Sequence, residues 1–181
     1  MKNIVITDKD IPLEFFKESV VVNLNNIKYS PCTGDYTCLK NMTPCRYHDD
    51  ISIINQWIGQ ASLIILVTHI YCGCFDTQLK SFIERNISSY EPYYTTVGGI
   101  TCHASLAQQS KKILLIGYGD ISEKEQKMLM DYLNDSLLGY FISSINTYFC
   151  TEEDLDNSLK TFGGVDRGKY SYNYIWSHLY K

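Results

Sequence analysis

Long apolar runs are missing from this sequence, as are a basic patch and any catalytic triad. No stretch approaches the roughly 20 apolar residues that a membrane-spanning helix needs, so no membrane span is expected. The start, Met1 to Thr7, meets Asp8-Lys9-Asp10 after three apolar residues. That is too short for the core of a secretion signal, and a cytoplasmic protein is expected. Lysine and arginine together number 16 against 20 aspartates and glutamates, giving a net charge of -4. The basic residues are scattered, so the sequence carries no electrostatic footprint for nucleic acid. Glycine is absent from the turn after the first apolar run, where Thr7-Asp8-Lys9-Asp10-Ile11-Pro12 stands.

What is present points to one domain. A length of 181 residues is enough to bury a core without crosslinks. The expected unit is a single domain over residues 1–181, with 163–181 as a tail whose last twelve residues include Tyr170, Tyr172, Tyr174, Trp176 and Tyr180. Such an aromatic strip invites association, and a homodimer contact is one expectation for it. Seven cysteines in a cytoplasmic chain read as free thiols, metal ligands or redox groups rather than structural disulfides.

Short apolar runs rich in β-branched residues recur at Asn3–Thr7, Ser19–Leu24, Ser62–Thr68, Lys111–Gly117 and Tyr140–Phe149, and each reads as a strand. Helical patterns alternate with the later strands. Asp49 and Asp50 precede Ile51, Ile54, Trp57 and Ile58; Asp76 opens a run with Leu79, Phe82 and Ile83 on one face; Ser122 and Glu125 have the spacing of a capping box ahead of Leu129, Met130, Leu133 and Leu137. Thr151 starts a last helix that reaches Phe162. Alternation of this kind, with central strands apolar on both sides, predicts a parallel sheet covered by helices on both faces. Residues 25–48 and 88–110 read as long irregular loops, of a length that often carries function.

Two stretches resemble a known family. Pro31-Cys32-Thr33-Gly34-Asp35-Tyr36-Thr37-Cys38, continuing through Pro44-Cys45-Arg46-Tyr47-His48-Asp49-Asp50-Ile51, is similar to the cysteine loop and helix start of the NADPH-dependent flavin mononucleotide (FMN) reductases and iron-sulfur flavoproteins. Thr68-His69-Ile70-Tyr71-Cys72-Gly73-Cys74-Phe75, with Gln78 to Arg85 after it, resembles their flavin loop and following helix. The resemblance implies a flavodoxin-like doubly wound five-stranded parallel sheet of order 2-1-3-4-5, with FMN as cofactor and NAD(P)H as electron donor. The implied ring site is Thr68, His69, Ile70, Tyr71, Cys72 and Gly73 together with Gly117, Tyr118 and Gly119, where Tyr71 and Tyr118 would offer flat faces for stacking. Thr7 and Lys9 would serve the phosphate. Flavin itself carries hydride and electrons, so no catalytic residue is assigned.

The sequence departs from that family at two places. The connection after the first strand is badly shortened, with two aspartates where a phosphate would arrive, and burying phosphate without donors costs several kcal/mol. Asp35 stands where a second close cysteine would fall, so Cys32, Cys38 and Cys45 fall short of the four thiolates of an iron-sulfur cluster, and none is expected. Adding His48 gives no common zinc spacing, and no metal site is assigned. Three readings therefore stand: an FMN-binding NAD(P)H-dependent oxidoreductase, a flavodoxin-fold binding or interaction protein that has lost FMN, and a redox-sensing or metal protein using the cysteine loop.

Overall fold

The computed structural model describes residues 3–97, 99–106, 110–136 and 142–163. The aromatic tail, and the expected strand start at Tyr140, lie outside the described residues. Five parallel strands run in the order β2-β1-β3-β7-β8: β1 (Asn3–Thr7), β2 (Ser19–Asn23), β3 (Leu63–Tyr71), β7 (Lys111–Tyr118) and β8 (Ile142–Cys150). This is the flavodoxin-like order expected, since the strands of this path follow 2-1-3-4-5 when counted along the chain. A two-residue strand, β4 (Cys74–Phe75), adds an antiparallel pairing to the end of β3.

Alternation along the strands feeds two cores. Ile4, Ile6, Ile64, Leu66, Ile113 and Leu115 face a larger core shared with α2 (Asp50–Gln60), α3 (Thr77–Glu84) and α4 (Glu123–Ser136). Val5, Ile65, Val67 and Ile116 face the other way, onto Leu155 and Leu159 of α5 (Leu155–Gly163) and onto Phe16. Every residue of β1 is buried, which is the condition of a strand flanked by neighbours and covered above and below. Phe16 belongs to a 3-10 turn, Leu13–Phe16, which is all that links β1 to β2 in place of a crossover helix.

The Ser122–Glu125 capping box forms as expected. The Glu125 amide donates to Ser122 Oγ at 3.3 Å and the Ser122 amide donates to Glu125 Oε2 at 3.0 Å. Elsewhere the structure corrects the sequence reading. Residues 88–110 are not irregular throughout: β5 (Tyr90–Val97) and β6 (Ile100–Ser105) form an antiparallel hairpin. The cysteine loop carries one short helix, α1 (Thr37–Asn41).

Candidate functional site

In a doubly wound sheet the crevice lies beyond the carboxyl ends of the strands. Here the ends of β1, β3 and β7 meet at one side chain, Asp8. Its Oδ2 accepts from Thr68 Oγ1 at 2.5 Å and from the His69 amide at 2.9 Å, and its Oδ1 accepts from the Tyr118 hydroxyl at 2.8 Å. A half-buried carboxylate binding three donors makes charge-assisted bonds about twice as strong as neutral ones. The protein therefore supplies its own anion at the head of the crevice.

Thr7 and Lys9 are drawn into the same turn. Thr7 is fully buried, and its Oγ1 donates to the Lys9 carbonyl at 2.9 Å and accepts from the Lys9 amide at 3.1 Å. Lys9 Nζ pairs with Glu152 at 2.6 Å and sits 5.4 Å from the centre of the Tyr118 ring. Glu152 is held below the usual carboxylate range by that bond and that charge. A cavity of about 510 Å³ opens beside this turn, lined by Asp10, Asp50, Asn23, Val21 and Trp57 among others. It pairs two carboxylates with one already engaged ammonium.

The residues assigned to the ring divide into two groups. Thr68, Ile70 and Tyr118 are turned into the protein, each less than a tenth exposed. Tyr118 was expected to offer a stacking face; instead it is 5% exposed, with the His69 ring packed edge-on against it at 5.5 Å. Burial, then the bond and charge of Asp8, push its hydroxyl far above the ordinary tyrosine value. Gly117 has no side chain because Ile70 Cγ1 and Phe149 Cδ1 would lie 2.8 and 2.9 Å from any Cβ there. That is a packing requirement rather than room for a ligand.

The second group faces outward. Tyr71 is 70% exposed. Tyr71 and Cys74 pair across Cys72-Gly73, whose φ values of 51° and 69° give both central residues the positive sign of a type I′ hairpin. The expected flavin loop is thus a tight two-residue turn, and Gly73 packs so closely on α4 that an added Cβ would sit 3.1 Å from Met128 Cβ. Gly119, at φ 126°, leaves space that His69 Nε2 fills to 2.9 Å. His69 and Gly119 are brought together by the pairing of β3 with β7, with His69 opposite Tyr118.

FMN fits this crevice at one end and not at the other. Tyr71 offers a free aromatic face at the ring end. At the phosphate end Thr7 and Lys9 are tied to each other and Lys9 to Glu152, and the connecting 3-10 turn is capped by Pro12, which has no N–H to offer an anion. Asp8 is the functional residue that the sequence placed but did not explain.

The cysteine loop is anchored separately. Arg85, 1% exposed, forks onto Asp49 with Nη1 at 2.8 Å from Oδ2 and Nη2 at 2.9 Å from Oδ1, and also donates to the Ser30 and Tyr47 carbonyls. Asp49 and Asp50 further accept from the Ser30 and Lys28 amides. Acids expected to favour the start of α2 thus also pin the entry of the loop. Among the described residues no group of three or more histidines, cysteines or acids is placed to hold a metal ion, and His48 is exposed.

No family model matches this chain, and no curated protein matches it. Solved structures do. Smu.1420 from Streptococcus mutans UA159 superposes with a TM-score of 0.62 at 14% identity, over 90% of this chain and 98% of that one. An NAD(P)H:quinone oxidoreductase from Methanothermobacter marburgensis gives 0.59 at 14% identity, covering 90% and 93%. An FMN-dependent NADH-azoreductase from Bacillus anthracis in complex with FMN gives 0.58 at 11% identity, covering 90% and 96%. The fold is flavodoxin-like, shared with that azoreductase and that quinone oxidoreductase. No helix among the described residues is long and apolar enough to cross a membrane.

Proposed function

We propose that this chain is a flavodoxin-fold binding protein that has given up the FMN phosphate site, and that it acts through contacts rather than by turning over flavin with NAD(P)H. The observation that carries this reading is the Asp8 carboxylate lodged on Thr68, His69 and Tyr118. Two like unit charges about 4 Å apart repel by about 4 kcal/mol at a dielectric typical of a protein surface. A phosphate dianion entering beside Asp8 meets more than that cost, and the Leu13–Phe16 turn that follows β1 brings no α-helix N-terminus to offset it. The exposed rings of Tyr71, Tyr93 and Tyr94 are the contact surface such a protein would use, on a small molecule or on a second copy of the chain. Sedimentation of the full chain checks the second option: a homodimer is expected, and a monomer at all concentrations would remove it.

A second reading, an FMN-binding NAD(P)H-dependent oxidoreductase, is favoured by one observation. The Tyr71 face lies free where β3 and β7 end side by side, and an FMN-dependent NADH-azoreductase and an NAD(P)H:quinone oxidoreductase share the fold. One titration separates the two. Added FMN is expected to show no saturable binding to the purified chain, while Asp8→Gly gains at least about tenfold in affinity, equivalent to about 1.4 kcal/mol. A wild-type protein that saturates with micromolar FMN, and whose flavin bleaches on addition of NADPH, would overturn the binding-protein reading in favour of the enzyme.

A further inference from the structure

The Cys32–Tyr47 loop closes over a second cavity, of about 410 Å³, in which Cys32, Cys38 and Cys45 share the wall with Lys80, Arg85 and Tyr132. None of the crevice residues lines it. The loop's own turns place its three cysteines along one cavity wall. Cys38 lies in α1, the chain reverses at Met42 with φ 51°, and the Thr43 amide returns to the Cys38 carbonyl at 3.0 Å. Burial pushes the Cys38 thiol up, and the nearby Cys45 and Cys32 sulfurs add to that effect. All three cysteines are half-buried and unbridged.

An independent feature points at Cys45. Both terminal nitrogens of Arg85 are bonded to Asp49 and to loop carbonyls, yet its buried Nε has no hydrogen-bond partner. Burial works against the Arg85 charge, and Asp49 together with Cys45 sustains it. The open Nε is thus a buried donor in the same cavity wall as Cys45. Thiolates beside a fixed cation are the ones that react.

We propose that this cavity is a peroxide-oxidised dithiol site, with Cys45 as the attacking sulfur, Arg85 as its positioning cation and Cys38 as the resolving thiol. In the first step the Cys45 thiolate attacks the distal oxygen of a hydroperoxide. The O–O bond breaks, an S–O bond forms, and the departing alkoxide or hydroxide takes a proton from water. In the second step the Cys38 sulfur attacks the sulfenic sulfur, the S–O bond breaks, and the Cys38 proton leaves with the hydroxyl as water. Two thiols have then lost two electrons to one peroxide, leaving a Cys38–Cys45 disulfide that an added dithiol reduces again. The site does not depend on whether the crevice holds FMN.

The test treats the full chain with equimolar hydrogen peroxide, blocks remaining thiols with iodoacetamide and maps the peptides by mass spectrometry. A Cys38–Cys45 cross-link reversed by dithiothreitol is expected, forming at least about tenfold faster than oxidation of the exposed Cys72. In Cys38→Ser the reaction is expected to stop at a Cys45 sulfenic acid that dimedone traps, and in Cys45→Ser neither product forms. Oxidation of Cys72 ahead of Cys45, or a cross-link between Cys32 and Cys38 in its place, would overturn the proposal. So would retention of both Cys38 and Cys45 as free thiols while Cys72 is consumed.

Discussion

Removing the Asp8 carboxylate leaves Thr68 Oγ1, the His69 amide and the Tyr118 hydroxyl facing one another without their shared acceptor. Stranding a buried donor costs on the order of 1–3 kcal/mol. Asp8→Ala is therefore expected to lose that much stability, read from urea unfolding, even though it frees the crevice for an anion. Tyr118 reports the same interaction. Its pKa is raised above the unfolded value of 10.0 by burial first and by Asp8 second. The stabilisation is complete below that value and is lost as pH climbs through the folded pKa. In a spectroscopic alkaline titration Tyr118 should stay un-ionised well above the ordinary tyrosine value, and Asp8→Asn should move it back towards that value. Two aspartates in a shortened turn were visible in the sequence as an obstacle to phosphate. What Asp8 does instead was not visible, because its partners lie 60 to 110 residues away along the chain. Local pattern carries no record of such pairings.

At the scale of elements, the Asp49–Arg85 pair joins the start of α2 to the end of α3 and holds the cysteine loop between them. Taking away one member of a buried pair strands the other charge and costs about 3–5 kcal/mol. Asp49→Ala is expected to unfold at correspondingly lower denaturant. Burial alone would raise the Asp49 pKa, but the Arg85 bond, the Ser30 amide and the Arg85 charge outweigh it and hold it below 3.8. Its contribution is therefore present above that pH and lost as acid takes the solution through the folded pKa. A stability-against-pH curve should fall there, and Asp49→Asn should flatten it. The Ser122–Glu125 cap was legible because both partners lie within one turn. The β5–β6 hairpin was missed, although β-branched runs flank Gly98-Gly99, a pattern that signals a hairpin. Its tyrosine-rich polar composition drew the reading towards a loop. The Cys72-Gly73 turn was harder, since cysteine is an unusual occupant of a left-handed position.

For the whole molecule, the covered parallel sheet was legible in the apolar central strands and the helices between them, whereas the order of the five strands came from the family resemblance, since composition does not say which strands lie side by side. Cover is unequal on the two sides. Three helices shield the larger core, whereas the opposite face near β2 has only the Leu13–Phe16 turn and its single buried residue, Phe16. β2 is also the outermost strand of its end of the sheet, with Val22 its one buried residue. Opening free energies within a domain grade from edge to centre with burial. Amide hydrogen exchange should therefore be fastest in β2 and slowest in β1 and β3, and equal protection across the three would contradict the packing. The short first crossover thus makes one margin of the sheet the place where solvent deuterium enters first.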